Sequence, residues 1–310
     1  MSAQSIDRGW GNGYGRWWRV GEQLAYFNGA IVPMSQAHVG VEDRGFQFAD
    51  GVYEVVRFYN GRTFTLREHM ERLQRSAEGI SLALPMSIEK IGEAICDFMP
   101  RCGLRDGTIY LQLTRGVAPR NHLFPKTPTS TLLFYAKPLP PQNEPGQGEG
   151  VKLLAVEDER WKRCWVKSIG LIGHILAKNE AAAKGYDEAA FVEHGIVSEC
   201  SSSNLFAVLG GKLITHPVGA KVLPGITRLV VLQCAEQLGI KVEERPLREE
   251  EVQRADELFI TSTTREIAWV ARWNERYVGQ GKCGAMTIKL HRGVRDRVRA
   301  ETTGPVRKSA

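Results

Sequence analysis

Lys137-Pro138-Leu139-Pro140-Pro141-Gln142-Asn143-Glu144-Pro145-Gly146-Gln147-Gly148-Glu149-Gly150 divides the chain in two. Four prolines fix φ and remove backbone donors, and three glycines are too permissive to hold a helix or strand. The segment therefore excludes regular structure and reads as a linker between domains. Outward from it, the chain parses into an N-terminal extension (1–20), a small N-terminal domain (21–137), the linker (138–150), a larger C-terminal domain (151–300) and a polar tail (301–310). Both ends lack a core pattern, so the chemistry is expected between them.

Before the linker, residues 53–59 are β-branched and aromatic, meet the turn dipeptide Asn60-Gly61 and continue through 62–66, the pattern of a hairpin. Residues 66–80 have helical spacing, Ser87 can cap a second helix reaching about Met99, and 108–114 and 131–136 read as strands. After it, 151–156 is a buried-type strand, and a helix runs from about Leu171 to a stop at Gly185. Strands are expected at 189–192, 196–198, 205–209, 212–215 and 257–261, and helices at 227–238 and from Ala285 to about Ala300. Mixed strands and helices without an internal repeat predict an α/β or α+β protein.

Composition narrows the function. With 43% hydrophobic and 25% charged residues the chain suits a globular protein, and its formal charge of +6 is dispersed among 35 acidic residues rather than clustered. No nucleic-acid partner is expected. Six cysteines without a C-x-x-C pair point to neither a disulfide scaffold nor a metal site. No apolar run approaches the roughly 20 residues that span a bilayer, and the extension lacks the apolar core of a secretory signal. A cytoplasmic protein with no membrane partner is the expectation.

Five groups of residues could carry chemistry. Pro224-Gly225-Ile226-Thr227-Arg228 sets a turn before a helix, where backbone N–H groups and the Thr227 hydroxyl could cradle a phosphate; an ordinary Thr N-cap is the commoner outcome of such a run. Ser262-Thr263-Thr264 follows a strand and Ser201-Ser202-Ser203-Asn204 follows Glu199, placements open to ligand loops or to solvated turns. Arg120 and His122, two apart, share a side in an extended segment and could grip a carboxylate. Lys167, in the apolar strand-like run Trp165-Val166-Lys167-Ser168-Ile169, could be a desolvated nucleophile, although most such lysines snorkel to water.

Taken in order, these groups resemble a known family. Glu42-Asp43-Arg44-Gly45-Phe46-Gln47-Phe48, Asp50-Gly51-Val52-Tyr53-Glu54-Val55-Val56 and Glu68-His69-Met70-Glu71-Arg72-Leu73 are similar to the N-terminal domain of fold-type IV pyridoxal-phosphate aminotransferases. Thr114-Arg115-Gly116, Pro119-Arg120-Asn121-His122, Val166-Lys167-Ser168, Val197-Ser198-Glu199, the triple-serine run, the 224–228 turn and Thr261-Ser262-Thr263-Thr264-Arg265-Glu266-Ile267 continue the likeness over about residues 23–292. The Arg-x-His pair is the feature similar to D-amino-acid transaminases.

The resemblance implies a small α/β domain and a larger pseudo-barrel domain, and a homodimer with its active site at the interface. It implies pyridoxal 5'-phosphate held as a Schiff base on Lys167, which also moves the proton. Glu199 would pair with the pyridine nitrogen, and Arg72, Ile226, Thr227, Ser262 and Thr263 would hold or adjoin the phosphate. Tyr53, Arg120 and His122 would orient the substrate carboxylate, the last two across the dimer interface. The implied reaction is ping-pong transamination between D-amino acids, such as D-alanine or D-glutamate, and 2-oxo acids. Branched-chain L-amino-acid or primary-amine transamination and an aminodeoxychorismate-type lyase share the same scaffold. Two departures bear on the pocket: Phe46 where tyrosine is frequent, and Cys200 where glycine is common beside the glutamate.

Overall fold

A computed structural model describes residues 23–140 and 142–303, so the extension with its three tryptophans and the residues after 303 lie outside the described part. Ahead of the linker, six strands form an antiparallel sheet in the order β2-β1-β6-β5-β3-β4. They are β1 (Leu24–Phe27), β2 (Ala30–Pro33), β3 (Gly51–Tyr59), β4 (Arg62–Thr63), β5 (Gly107–Thr114) and β6 (Thr131–Pro138). The short helix α1 (Arg44–Phe48) precedes β3, and α2 (Leu66–Gly79) and α3 (Ile88–Phe98) follow β4. The Asn60-Gly61 turn takes positive φ at both residues, 51° and 74°, as a two-residue hairpin with the twist of its strands requires. Ser87 caps α3 by accepting from the Lys90 amide. Val52, Val56 and Phe58 of β3 alternate onto the face covered by Met70, Leu73 and Ala77 of α2 and Ile91 and Ile95 of α3.

The second sheet has ten strands. They are β7 (Val151–Glu157), β8 (Glu188–Glu193), β9 (Ile196–Cys200), β10 (Asn204–Leu209), β11 (Lys212–Thr215), β12 (Val242–Glu244), β13 (Leu247–Arg248), β14 (Glu257–Ser262), β15 (Glu266–Trp273) and β16 (Arg276–Tyr277). Their order is β12-β11-β10-β14-β15-β7-β8-β9-β13, with β16 on β15. α4 (Ile172–Ala183), α5 (Ile226–Gln237), α6 (Glu249–Val252) and α7 (Ala285–Thr302) complete this half. Strand β10 shows why the sheet is buried on both sides. Leu205 and Ala207 enter one core, while Phe206 and Val208 enter a second core under α5 and α7. The first core also takes Val197 of β9 and Leu247 of β13, strands far from β10 in the sheet order, so the sheet curls until its ends share one interior.

Four local expectations differ from the structure. Strand β6 runs through Pro138, so the segment free of regular structure begins at Leu139. The hairpin's second strand stops at Thr63, where the chain turns into α2. Residues 165–169 form no strand: a turn carries them, pinned to β3 by one bridge between Ser168 and Val52. The final helix extends to Thr302, two residues into the segment expected to be tail.

Candidate active site

A cavity of about 280 Å³ opens between the two sheets, lined among others by Tyr53, Arg72, Lys167, Glu199, Ile226, Thr227, Ser262 and Thr263. Eight of the ten residues singled out from sequence therefore meet in one place. Arg120 and His122 do not: they stand on an exposed loop after β5. Both side chains do fall on one side, with the Arg120 guanidinium 4.6 Å from the Phe48 ring centroid and the His122 ring 5.7 Å from it.

Backbone contacts fix Lys167. Its carbonyl accepts from the Tyr53 amide at 3.0 Å and its amide donates to Ser76 Oγ of α2 at 3.1 Å. Gly51 makes this docking feasible, because a Cβ there would lie 3.0 Å from Ile169 Cδ1 and 2.6 Å from the Leu113 carbonyl. The ammonium group sits 4.2 Å from the Tyr53 ring centroid and, among the described residues, has no carboxylate partner. The side chain is half-buried rather than desolvated.

Glu199, near the end of β9, is buried and held by three donors. Oε1 accepts from Arg160 Nη1 at 2.6 Å, and Oε2 accepts from Asn204 Nδ2 and the Leu223 amide, each at 3.0 Å. Burial pushes this carboxyl above its ordinary range, and Arg160 and the Leu223 amide offset only part of that. Arg160 also binds Asp158 through two nitrogens and packs its guanidinium 3.9 Å from the Phe191 ring centroid. Its Nη1 lies 3.3 Å from His174 Nε2, and burial followed by the Arg160 charge pushes that imidazole down to about 4.

The opposite corner gathers an uncapped helix end and an arginine. The N-cap of α5 is Gly225, not Thr227, and no side chain caps that end. A Cβ on Gly225 would lie 1.9 Å from Asn204 Oδ1, so only glycine permits this approach. First-turn amides and the positive helix end thus face the cavity. Arg72 of α2 lies alongside, its Nη1 donating to the Pro224 carbonyl at 3.0 Å. Glu54 clamps Arg72 through Nε and Nη2 at 2.7 and 2.8 Å and binds His69 Nδ1 at 2.7 Å. Burial alone would raise the Glu54 carboxyl, but Arg72 and His69 outweigh it and hold it well below the usual range. Two hydroxyls on the cavity wall, Ser201 Oγ and Thr261 Oγ1, are buried without a hydrogen-bond partner among the described residues. The wall cysteines are poor nucleophiles, since burial pushes the Cys164 thiol up to about 11 and raises Cys200 well above its ordinary value.

The model of the amino-transferase class IV family matches residues 51–273. The chain belongs to this family. As a class IV aminotransferase it is 38% identical to the D-alanine aminotransferase of Bacillus licheniformis over 281 residues, 90% of this chain and 99% of that one. Its identity to the D-alanine aminotransferase of Listeria monocytogenes is 42% over 266 residues, 85% of this chain and 92% of that one. Among solved structures, the branched-chain amino acid aminotransferase of Escherichia coli superposes with a TM-score of 0.83 at 28% identity, covering 92% of this chain and 97% of that one. The branched-chain amino acid aminotransferase of Thermobaculum terrenum, solved in its PLP-form, superposes with a TM-score of 0.80 at 27% identity, covering 90% of this chain and 95% of that one. The fold is that of these neighbours, fold type IV, with the curled sheet in place of a closed barrel.

Four participants of this aminotransferase's site carried no signal of their own in the sequence: Arg160, Asp158, His174 and Glu188. Glu188, fully buried on β8, accepts from the Ser202 amide at 2.6 Å and from the Ser202 and Ser203 hydroxyls at 2.9 and 3.0 Å. It is what folds the triple-serine run around the cavity. A charged residue inside a strand core, followed at a distance by a serine run, is the one trace it leaves in the sequence.

Proposed function

We propose that the chain transfers amino groups between D-amino acids, such as D-alanine and D-glutamate, and 2-oxo acids, with pyridoxal 5'-phosphate carried on Lys167. The observation that carries this reading is the pairing across one cavity of a free amine with a buried acid, beside an uncapped helix end. The residues fit that cofactor: the unpartnered Ser201 and Thr261 hydroxyls, the approach reserved by Gly225 and the first turn of α5 suit an anionic group. Arg72, Ile226, Thr227, Ser262 and Thr263 would hold the phosphate. When bound, the cofactor supplies an electron sink for the charge left at the substrate Cα.

The chain's own residues do the rest. Lys167 Nζ would take the substrate Cα proton as general base and return it as general acid. Glu199, made more basic by burial, would hold a proton at the ring nitrogen of that cofactor, while Arg160 and Asn204 fix its two oxygens. Tyr53 lies against Lys167 and closes the substrate side. Release of the 2-oxo acid before the second acceptor enters gives ping-pong kinetics.

Arg120 and His122 would bind the substrate carboxylate from a partner subunit, making the unit a homodimer. Their exposure supports this, and so does the apolar surface near them: Phe46, Val117, Leu123 and Phe124 are 79%, 55%, 76% and 57% exposed. No helix among the described residues is long and apolar enough to cross a membrane, and we place the protein in the cytoplasm. The test is a panel of D- and L-amino acids and carboxylate-free amines with 2-oxoglutarate as acceptor. Turnover of D-alanine and D-glutamate is expected. A strict L preference would point to the branched-chain reading, and turnover of amines alone to the amine reading.

A further inference from the structure

Behind the Ser262-Thr263-Thr264 turn lies a buried contact that the chemistry above does not use. Glu266 closes the turn with φ +56°, a left-handed conformation that a glutamate keeps only when its surroundings hold it. Its carboxylate is what is held. Oε1 accepts from Tyr59 Oη at 2.7 Å, while Oε2 accepts from Arg295 Nε and lies 3.3 Å from His291 Nε2. Tyr59 ends β3, the strand that carries Tyr53 to the cavity and Glu54 to its clamp on Arg72. His291 and Arg295 belong to α7, and Arg295 Nη2 donates to the Asn143 carbonyl of the linker at 3.1 Å. One carboxylate thus joins the first sheet, the linker, the last helix and the turn.

The turn passes this restraint on to the cavity. Ser262 pairs with Glu266 in the register of β14 and β15, and its Oγ accepts from the Arg265 amide at 3.2 Å. Arg265 Nη1 reaches Glu188 Oε2 at 3.3 Å, and the other oxygen of Glu188 holds Ser202 and Ser203. Both hydroxyl runs on the cavity wall therefore depend on where Glu266 sits.

Resting on the phosphate site proposed above, we propose that Glu266 is a positioning residue. Held by Tyr59, His291 and Arg295, it sets the Ser262–Arg265 turn, so the grip on the cofactor's phosphate depends on a contact between the two sheets. The test compares Y59F, which removes the 2.7 Å donor, with E266Q, which keeps the shape and removes the charge. Cofactor release from the holoenzyme is followed by visible absorbance, and the protein is then reloaded with pyridoxal 5'-phosphate or with pyridoxal, which lacks the phosphate; melting curves check folding. Both variants are expected to bind pyridoxal 5'-phosphate about five- to twenty-fold more weakly, the effect of one lost buried hydrogen bond, and pyridoxal as the wild type does. Equal losses for both aldehydes would mean general loosening and overturn the proposal, as would no loss for either. A wild-type protein that binds the two aldehydes equally well would remove the phosphate site itself, and the proposal with it.

Discussion

Glu199→Gln tests the acidic half of the site with little change of shape. Both Glu199 oxygens are acceptors, one facing Arg160 Nη1 at 2.6 Å and the other facing Asn204 Nδ2 and the Leu223 amide at 3.0 Å. A glutamine must turn its NH2 toward one of these sets, placing donor against donor whichever way it flips. Arg160 keeps its two contacts to Asp158, so the loss is that of buried polar groups left unmatched, about 1–3 kcal/mol, rather than of an isolated buried charge. At about 2–4 °C per kcal/mol for a chain of this size, the melting temperature should fall by about 2–12 °C. Turnover should fall further, by about 10²–10³-fold, because the proton at the ring nitrogen loses its anionic partner. The assay is steady-state turnover of D-alanine with 2-oxoglutarate beside a thermal melt. A variant that is destabilised but turns over at the wild-type rate would refute the role given to Glu199.

Lys167→Ala should abolish both turnover and the visible absorbance of the bound cofactor; persistence of both would end the assignment. Gly225→Ala should weaken cofactor binding at least tenfold, since its Cβ would lie 1.9 Å from Asn204 Oδ1, and an unchanged dissociation constant would refute the close-approach argument. Arg120→Ala should raise KM for D-alanine by about tenfold or more with a smaller change in kcat, the mark of a lost charge-assisted contact to substrate, and an unchanged KM would remove it from the substrate site. Stability should fall as pH drops from 6.5 toward about 4, because unfolded His174 takes up a proton there that the folded imidazole refuses. Urea titrations across that range should show a shallower slope for His174→Asn, and an identical slope would refute it.

How much of this was legible varies with the kind of signal. Asn60-Gly61, Ser87 and Gly185 punctuate the chain with local chemistry, and β3, α3 and α4 stand within a residue or two of where the sequence puts them, although β4 ends three residues early. Strand β15 has no such marker. Its turn bends at Glu266, a residue type that carries no turn signal, and the positive φ there is imposed by contacts 25 to 207 residues away. The 165–169 segment misleads in the opposite way: its apolar residues match a strand, yet they pack Val166 and Trp165 against the core between the six-stranded sheet and α2 and α3 instead of extending a sheet. Arg160, Asp158 and Glu188 are invisible for a third reason. Charged residues read as surface until the partners that neutralise them are brought together by the fold.

The docking of residues 166–169 on β3 has a mechanical consequence. Lys167 is anchored through its backbone to the first sheet, whereas Glu199 hangs from the second. The base and the acid thus hang from different sheets, so the packing between the sheets sets their spacing. Stiffening or loosening the joint between the halves would therefore retune turnover without touching a single group that meets the substrate.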